Sequence, residues 1–176
     1  MESIDLDQIN LGLLALRVVV GATMIAHGVN HVWRGGKIAG TARWFAGLGM
    51  RPGVLHAWLA SITELVAGSM LIAGLLTPLA AGACAGVMLV AWIVNHRKNG
   101  FFIFRPGEGY EYVMNLFVAC LAIACLGAGE WSLDEALDAH FSDWWGLVAG
   151  LGVGVGGTVV LLVTCWRPAP RAATPD

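Results

Sequence analysis

The sequence predicts an all-α fold, a polytopic membrane helix bundle built from five apolar segments. Hydrophobic residues make up 57% of the 176 residues and charged residues only 12%, whereas a soluble domain averages about 25% charged residues. The mean hydropathy is +0.72. A helix that crosses a bilayer core of about 30 Å needs roughly 20 apolar residues. Five stretches approach or meet that length, near residues 11–32, 54–76, 78–96, 110–127 and 145–166.

The connections and glycines of these segments indicate close packing between neighbouring helices. Residues 75–78 join the second and third segments, and Pro78 suits the first turn of the third helix, so a tight hairpin is predicted. In the fifth segment, Gly146, Gly150 and Gly154 form small-xxx-small steps that allow close helix contact in lipid. These steps predict contact with the chain's own bundle, with a partner subunit or with a second copy.

Two short helices are predicted outside the apolar segments. Residues 41–50 place Arg43 beside Trp44, which is typical of a helix in the membrane interface. Ser132 and Glu135 have the spacing of a capping box, which predicts a brief helix before the fifth segment.

The basic residues predict the orientation of the chain. With five spans, nine of the ten Lys and Arg residues fall on one side of the membrane. The positive-inside rule then places the N-terminus outside and the C-terminus in the cytoplasm. Residues 1–10 lack the positive region that begins a signal peptide, so the first helix is expected to be retained. The nine cations are Arg34, Lys37, Arg43, Arg51, Arg97, Lys98, Arg105, Arg167 and Arg171.

Ionisable residues inside the apolar segments are the main functional candidates, because lipid should exclude them. At 100° per residue, Arg17, His27 and His31 fall within about 80° on the first helix, so that face points inward. Glu64 lies near the middle of the second segment, about 6 Å along the membrane normal from Arg17. The sequence therefore predicts an Arg17–Glu64 ion pair. The pair either fixes helix register or forms the charged floor of a ligand or proton pocket.

A second polar cluster is predicted at the cytoplasmic ends of three helices. His27 and His31 are related by i,i+4 spacing, and so are Glu111 and Asn115, so each pair shares a helix face. His96 ends the third segment. Such groups suit proton transfer, a small polar ligand such as a quinone, or a wet interfacial cluster. Metal binding is less favoured, since no HxxH, HxH or ExxH pattern occurs. Haem binding by His27 and His96 is also less favoured, because two histidines on different helices are common in membrane proteins.

The remaining signals are interpreted as structural. The four cysteines lie in apolar runs without CxxC or zinc-type spacing, which is typical of buried packing residues. His56 and His140 are assigned to loops or the interface, without a special role. No P-loop, GxSxG, HExxH or nucleic-acid signature occurs, so no nucleic-acid partner is expected.

Several segments, in their order and spacing, resemble the DoxX family of small bacterial membrane proteins. Glu64 followed by Gly68 and Gly74 is the most recognisable part. The resemblance implies a four-helix core. With this core as one part, the chain divides into four parts. The segments that carry it are LRVVVGATMIAHGVNHV, ITELVAGSMLIAGLLTPLAA, HRKNGFF, GYEYVMN and GAGEWSLDEAL. The parts are an acidic extracytoplasmic N-terminus (1–10), a DoxX-like core with loops (11–143), a fifth, Gly-rich transmembrane helix (144–166) and a cytoplasmic Pro-rich tail (167–176).

The resemblance also implies a function. Related membrane subunits are associated with thiosulfate:quinone oxidoreduction or with a membrane oxidoreductase complex. An anchoring or auxiliary subunit of a quinone-linked oxidoreductase complex is therefore expected, not catalytic by itself, with the bilayer and other subunits as partners. Two alternatives stay open, a small-molecule or proton-coupled transporter and a purely structural scaffold. The candidate ligand-binding residues are Arg17, Glu64, His27, His31, His96, Glu111 and Asn115; no catalytic residue and no metal ligand is assigned.

Overall fold

The computed structural model describes residues 5–139 and 143–168, which form an all-helical bundle. The described residues contain no strand, only one isolated bridge between Met50 and Trp166. Short 3₁₀ and π segments lie at His96–Lys98 and Gly152–Gly156. The α-helices are α1 (Leu6–Trp33), α2 (Lys37–Gly47), α3 (Gly53–Ala73), α4 (Thr77–Val94), α5 (Glu111–Leu126), α6 (Leu133–Ala136), α7 (Asp143–Leu151) and α8 (Gly157–Cys165).

Helices α1 and α3 pack as antiparallel neighbours through glycine contacts. A Cβ atom added to Gly21 would lie 2.5 Å from the Gly68 carbonyl oxygen, and one added to Gly68 would lie 2.8 Å from the Gly21 oxygen. Further along, Gly28 lies against Ser61 and Leu65. Because no side chain separates the backbones here, these contacts fix the register of the two helices.

Helix α4 occupies the middle of the bundle and contacts α3, α5 and the fifth helix. Its small residues allow this, since Ala81, Cys84 and Ala85 are fully buried. Cys84 and Cys120 of α5 are free, buried thiols in the same apolar core, in agreement with the packing role predicted for them. Val20 and Met24 of α1 complete this core from the opposite side.

Within the described residues, four helices are long and apolar enough to cross a membrane: α1, α3, α4 and the continuous helix Trp144–Cys165, called here the fifth helix. The prediction of a full-length span near 110–127 is only partly met, because α5 has 16 residues, about 24 Å of helix. Gly127, with φ +79°, ends it. The α5 segment nevertheless connects the two ends of the bundle, since His96 contacts Glu108 before it and Asn10 contacts Glu130 after it.

The fifth helix packs on its own bundle. Gly150 lies against Pro78 and Gly82, and Gly154 lies against Gly82 and Ala85. A Cβ at Gly82 would lie 2.5 Å from the Gly150 carbonyl oxygen. The predicted small-xxx-small steps are thus used within the chain, and Asp143–Leu151 and Gly157–Cys165 are joined by the π turn.

The short elements lie at opposite ends of the bundle. We call the end of the bundle that contains Asn10 its N-terminal end. There Ser132 caps α6 by accepting a hydrogen bond from the Glu135 amide, as predicted. We call the opposite end, which contains His31, the C-terminal end of the bundle. There α2 covers the bundle beside Trp166, whose Nε1 donates to the Leu48 carbonyl (3.0 Å). The chain therefore begins at one end and reaches the other at the last described residues.

Candidate functional site

A cavity of about 380 Å³ lies inside the C-terminal half of the bundle. Ionisable and polar side chains line one part of it, and aliphatic or aromatic side chains line the rest. The polar lining residues are His27, His31, His56, Thr63, Glu64, Asn95, His96, Glu108, Tyr112 and Thr158. A concave, mainly apolar site with a few converging polar groups is the usual form of a small-molecule pocket.

Glu64 and His31 form the closest charged contact in this cavity. His31 Nδ1 lies 3.0 Å from Glu64 Oε2, and the Glu64 side chain is 3% exposed. Neither atom has a further hydrogen-bond partner among the described residues. A buried carboxylate is costly in the membrane unless it is paired or protonated, so this pair either shares a proton or carries opposite charges.

The predicted Arg17–Glu64 ion pair is wrong. Arg17 is fully buried, but its guanidinium donates to backbone carbonyls, those of Leu71 (3.3 Å), Ile72 (3.5 Å) and Trp131 (2.7 Å). The register of α1 and α3 places Arg17 opposite Ile72. This position is eight residues, or about 12 Å, along α3 from Glu64, which is twice the axial gap predicted from segment lengths.

Arg17 instead belongs to a structural cluster at the N-terminal end. Asp134 is close enough to act electrostatically on Arg17, and its carboxylate accepts hydrogen bonds from the amides of Leu76 (2.6 Å) and Thr77 (2.9 Å). Leu76, the residue before α4, provides no side-chain cap of its own. Asp134 therefore caps α4 from a distant part of the chain and ties the α3–α4 hairpin to the loop after α5.

His56 is a cavity residue that the sequence interpretation missed. It is 3% exposed, and its Nε2 has no hydrogen-bond partner among the described residues. An unsatisfied buried ring nitrogen costs free energy unless a ligand or water completes it. The i,i+4,i+8 spacing of His56, Ala60 and Glu64 on α3 would have indicated the shared stripe, since all three line the cavity.

Three aromatic rings form the wall between α1, α4 and α5. His27 stacks on Tyr112 with 5.9 Å between ring centroids. The His96 ring contacts the Tyr112 ring edge-on, with 5.8 Å between their centroids. His96 is held in place on both sides, because Nδ1 lies 2.9 Å from the Glu108 carbonyl and Nε2 lies 3.3 Å from the Asn95 amide nitrogen. His27, His31 and His96 thus share one cavity.

The other two predicted cluster members lie elsewhere. The Glu111 carboxylate accepts a hydrogen bond from the Ile103 amide (3.1 Å) and so stabilises the loop before α5. Asn115 is exposed on the outer surface of α5. Neither residue lines the cavity, because the face that α5 turns inward carries Val113 and Cys120. Their grouping with the histidines is therefore not seen in the structure.

The described residues contain no group of three or more His, Cys, Asp and Glu side chains that could hold a metal ion. The cavity offers hydrogen-bonding groups at His31, His56 and Glu64. These groups face aromatic and aliphatic surfaces such as Phe45 and Met88.

The comparisons with known proteins identify the family of this bundle. The sequence model of the DoxX family matches residues 12–97, which run from α1 to the 3₁₀ turn after α4. No curated protein and no solved structure matches the chain. The matched part contains His27, His31, His56, Glu64 and His96, whereas Tyr112 and the fifth helix follow it. Residues 12–97 of this integral membrane protein therefore form a domain of the DoxX family.

Proposed function

We propose that this chain is a membrane subunit that binds a quinone head group in the cavity and serves as an anchoring or auxiliary component of a membrane oxidoreductase complex. The observation that carries the proposal is the unsatisfied, buried Nε2 of His56 in the same cavity as the His31–Glu64 pair. The expectation of a quinone site came from the family resemblance, and these groups supply the donors that such a ligand needs.

The chemistry of the lining fits a quinone ring. Its two carbonyl oxygens are acceptors, and a histidine N–H such as that of His56 or the hydroxyl of Tyr112 is a donor. Phe45 and Met88 offer apolar surface for the ring. The cavity volume of about 380 Å³ lies in the range of small-ligand sites, roughly 300–1,000 Å³.

A proton source beside the ring would complete the role of this chain. Quinone reduction takes up two electrons and two protons. His31 Nδ1 and Glu64 Oε2 lie 3.0 Å apart, and we propose that they pass the two protons to the ring one after the other. The electrons would come from a partner subunit of the complex.

Binding of a short-chain benzoquinone to the purified protein in lipid nanodiscs tests the proposal. We expect His56→Leu and Tyr112→Phe to weaken binding by about tenfold each, because each change removes a hydrogen-bond donor from the dry site. Asn115→Leu, on the exposed face of α5, is the control and should bind as the wild type does. Melting temperatures check that each variant is folded. A wild-type protein without measurable affinity, or unchanged affinity in both cavity variants, would overturn the proposal.

The His31–Glu64 pair also favours a second candidate function, proton-coupled transport of a small molecule. Buried His and carboxylate groups are typical of proton relays in transporters. Liposomes made from quinone-free lipid separate the two functions. Substrate or proton flux that Glu64→Gln abolishes would support transport, whereas a silent protein that binds quinone would support the subunit role.

The cellular arrangement follows from the charges. We propose a bacterial inner-membrane location with residues 1–10 outside and the tail 167–176 in the cytoplasm. The support is that eight cations of the described residues lie at the C-terminal end of the bundle, in 34–51, 97–105 and Arg167. Redox partner subunits should then co-purify with this chain from native membranes in mild detergent.

A further inference from the structure

We propose that the ligand of the cavity carries a hydrophobic chain, which lies in a groove between α3 and the fifth helix and through which the ligand enters sideways from the bilayer. This inference rests on the proposed function and specifies its substrate class, a lipid-soluble quinone with an apolar tail.

The groove is formed because α3 and the fifth helix flank α4 on two sides. Helix α4 packs against α3, against the π turn and against α8, and forms the floor of the cavity with Ala83 and Val87. One wall comes from Leu59 and Ala60 of α3. The opposite wall comes from the fifth helix, with Val153, Gly157 and Leu161. The same cavity thus extends from the Glu64 carboxylate to the side of the bundle.

The rim of the groove faces the region of the lipid tails. Leu59 is 45% exposed and Val153 is 41% exposed, and both belong to helices that can cross the membrane. Val153 lies in the middle of Trp144–Cys165, so the opening is at the depth of the hydrocarbon core. An apolar chain can occupy such an opening without being exposed to water.

The C-terminal end of the cavity is covered instead. Phe45, Met50, Ala57 and Val94 form a buried cluster across it. The loop that carries Met50 is fastened to the end of the fifth helix by main-chain hydrogen bonds, from Arg51 N to Cys165 O (3.0 Å) and from Arg167 N to Gly49 O (2.7 Å). A water-soluble ligand that approaches across this cluster therefore meets packed side chains, whereas Leu59 and Val153 at the side of the bundle are exposed.

The glycines of the fifth helix leave the space that the hydrophobic tail of the ligand would occupy. A Cβ at Gly154 would lie 2.6 Å from the Gly82 carbonyl oxygen, so Gly154 serves packing. A Cβ at Gly157 would meet nothing within 4 Å, although Gly157 lines the cavity. The π turn before it is of a kind often found at functional sites. The fifth helix follows the segment 12–97 that the family model matches. The wall that this helix gives the groove is therefore an addition to that segment.

Two leucine variants test the inference. Gly157→Leu fills the groove, whereas Gly156→Leu is the matched control: a Cβ at Gly156 also meets nothing within 4 Å, but Gly156 does not line the cavity. Both changes replace glycine in a helix and should not impair folding. Each protein, in nanodiscs, is titrated with a decyl-substituted benzoquinone and with the same ring without the decyl chain.

We expect Gly157→Leu to weaken binding of the decyl quinone by at least about tenfold, because several buried methylenes are lost, and to leave the chainless ring within about twofold of wild type. Gly156→Leu should bind both probes as wild type does. Equal weakening of both probes by Gly157→Leu, or no weakening of the decyl probe, would exclude the groove while leaving the quinone site intact. If the wild type binds neither probe, the proposed function itself fails.

Discussion

The ionisable side chains inside this bundle are stabilised in two different ways. The Arg17 guanidinium donates to carbonyls at the end of α3 and to the Trp131 carbonyl after α5, and Asp134 acts on it electrostatically. Glu64 contacts His31 and opens onto a cavity. An arginine with carbonyl partners holds helices together, while a carboxylate beside a titratable ring can exchange protons. We therefore expect Arg17 to stabilise the fold, and we propose a functional role for Glu64.

This difference predicts which pairs of residues are energetically coupled. In a double-mutant cycle on unfolding free energy, His31→Ala and Glu64→Ala should show a coupling of about 1 kcal/mol, as expected for contacting polar groups in a membrane protein. Arg17→Ala and Glu64→Ala should be additive within about 0.5 kcal/mol, because the two sites are separated along α3. Coupling between Arg17 and Glu64, together with additivity of His31 and Glu64, would instead support the Arg17–Glu64 ion pair.

The inward direction of these residues could be predicted from the sequence, but their partners could not. Helical spacing alone puts Arg17, His27 and His31 on one face, and the structure confirms that Arg17 is buried and that both histidines line the cavity. The partner of Arg17 depends on the register between α1 and α3. The contact between Gly21 and Gly68 sets that register, and no pattern within a single helix encodes it.

At the scale of the element, Asp134 replaces the missing cap of α4. Asp134→Asn keeps the shape of the side chain but removes its charge and one of two acceptor oxygens, so either the Leu76 or the Thr77 amide loses its partner. We expect a loss of about 1–2 kcal/mol in unfolding free energy, measured by denaturation in detergent. Asp7→Asn, an exposed acid at the same end, is the control and should change little. Equal stability of both variants would refute the cap.

The contact between α4 and the fifth helix gives a second prediction at this scale. Gly82→Ala would place a methyl group 2.5 Å from the Gly150 carbonyl oxygen, so the backbones must separate. We expect a clear drop in melting temperature and faster proteolysis of the fifth helix. Gly152→Ala meets nothing within 4 Å and should be neutral or stabilising, since alanine favours a helix. A stable Gly82→Ala protein would mean that the fifth helix is not held by this contact.

At the scale of the whole molecule, the two ends of the bundle differ in charge. The basic segments 34–51 and 97–105 lie at the end where the fifth helix finishes, and the acidic segment 130–138 lies at the end where α1 begins. Because the described residues start at one end of the bundle and reach the other, we expect an odd number of membrane crossings between them. The short α5 must then complete its crossing with the loop residues on either side.

This arrangement predicts opposite locations for the two termini. A reporter fused at Asp7 should be active outside the cytoplasm, and one fused at Thr174 should be active inside it. The physical reason is the retention of cationic loops on the cytoplasmic side. If both reporters indicate the cytoplasm, then α5 does not cross the membrane and the five-span arrangement is incorrect.

The cavity is a property of the whole molecule, and the sequence predicted only part of it. His27, His31, His96 and Glu64 were identified because lipid excludes such groups. His56 was missed, because a residue near a helix start resembles an interface residue until the neighbouring helices cover it. The wall that the fifth helix provides was not predicted either, since its glycines indicated only that something packs closely there.

Photoaffinity labelling with an azido-quinone tests the central claim most directly, because it reports where the ligand lies in the folded protein. The probe is photolysed with the protein in native-like membranes, and labelled peptides are identified by mass spectrometry. We expect labels on the cavity segments of α3 and the fifth helix, around His56–Glu64 and Val153–Leu161, that excess unlabelled quinone removes. Labels confined to the exposed face of α5 around Asn115, or labels that competitor does not remove, would contradict the account.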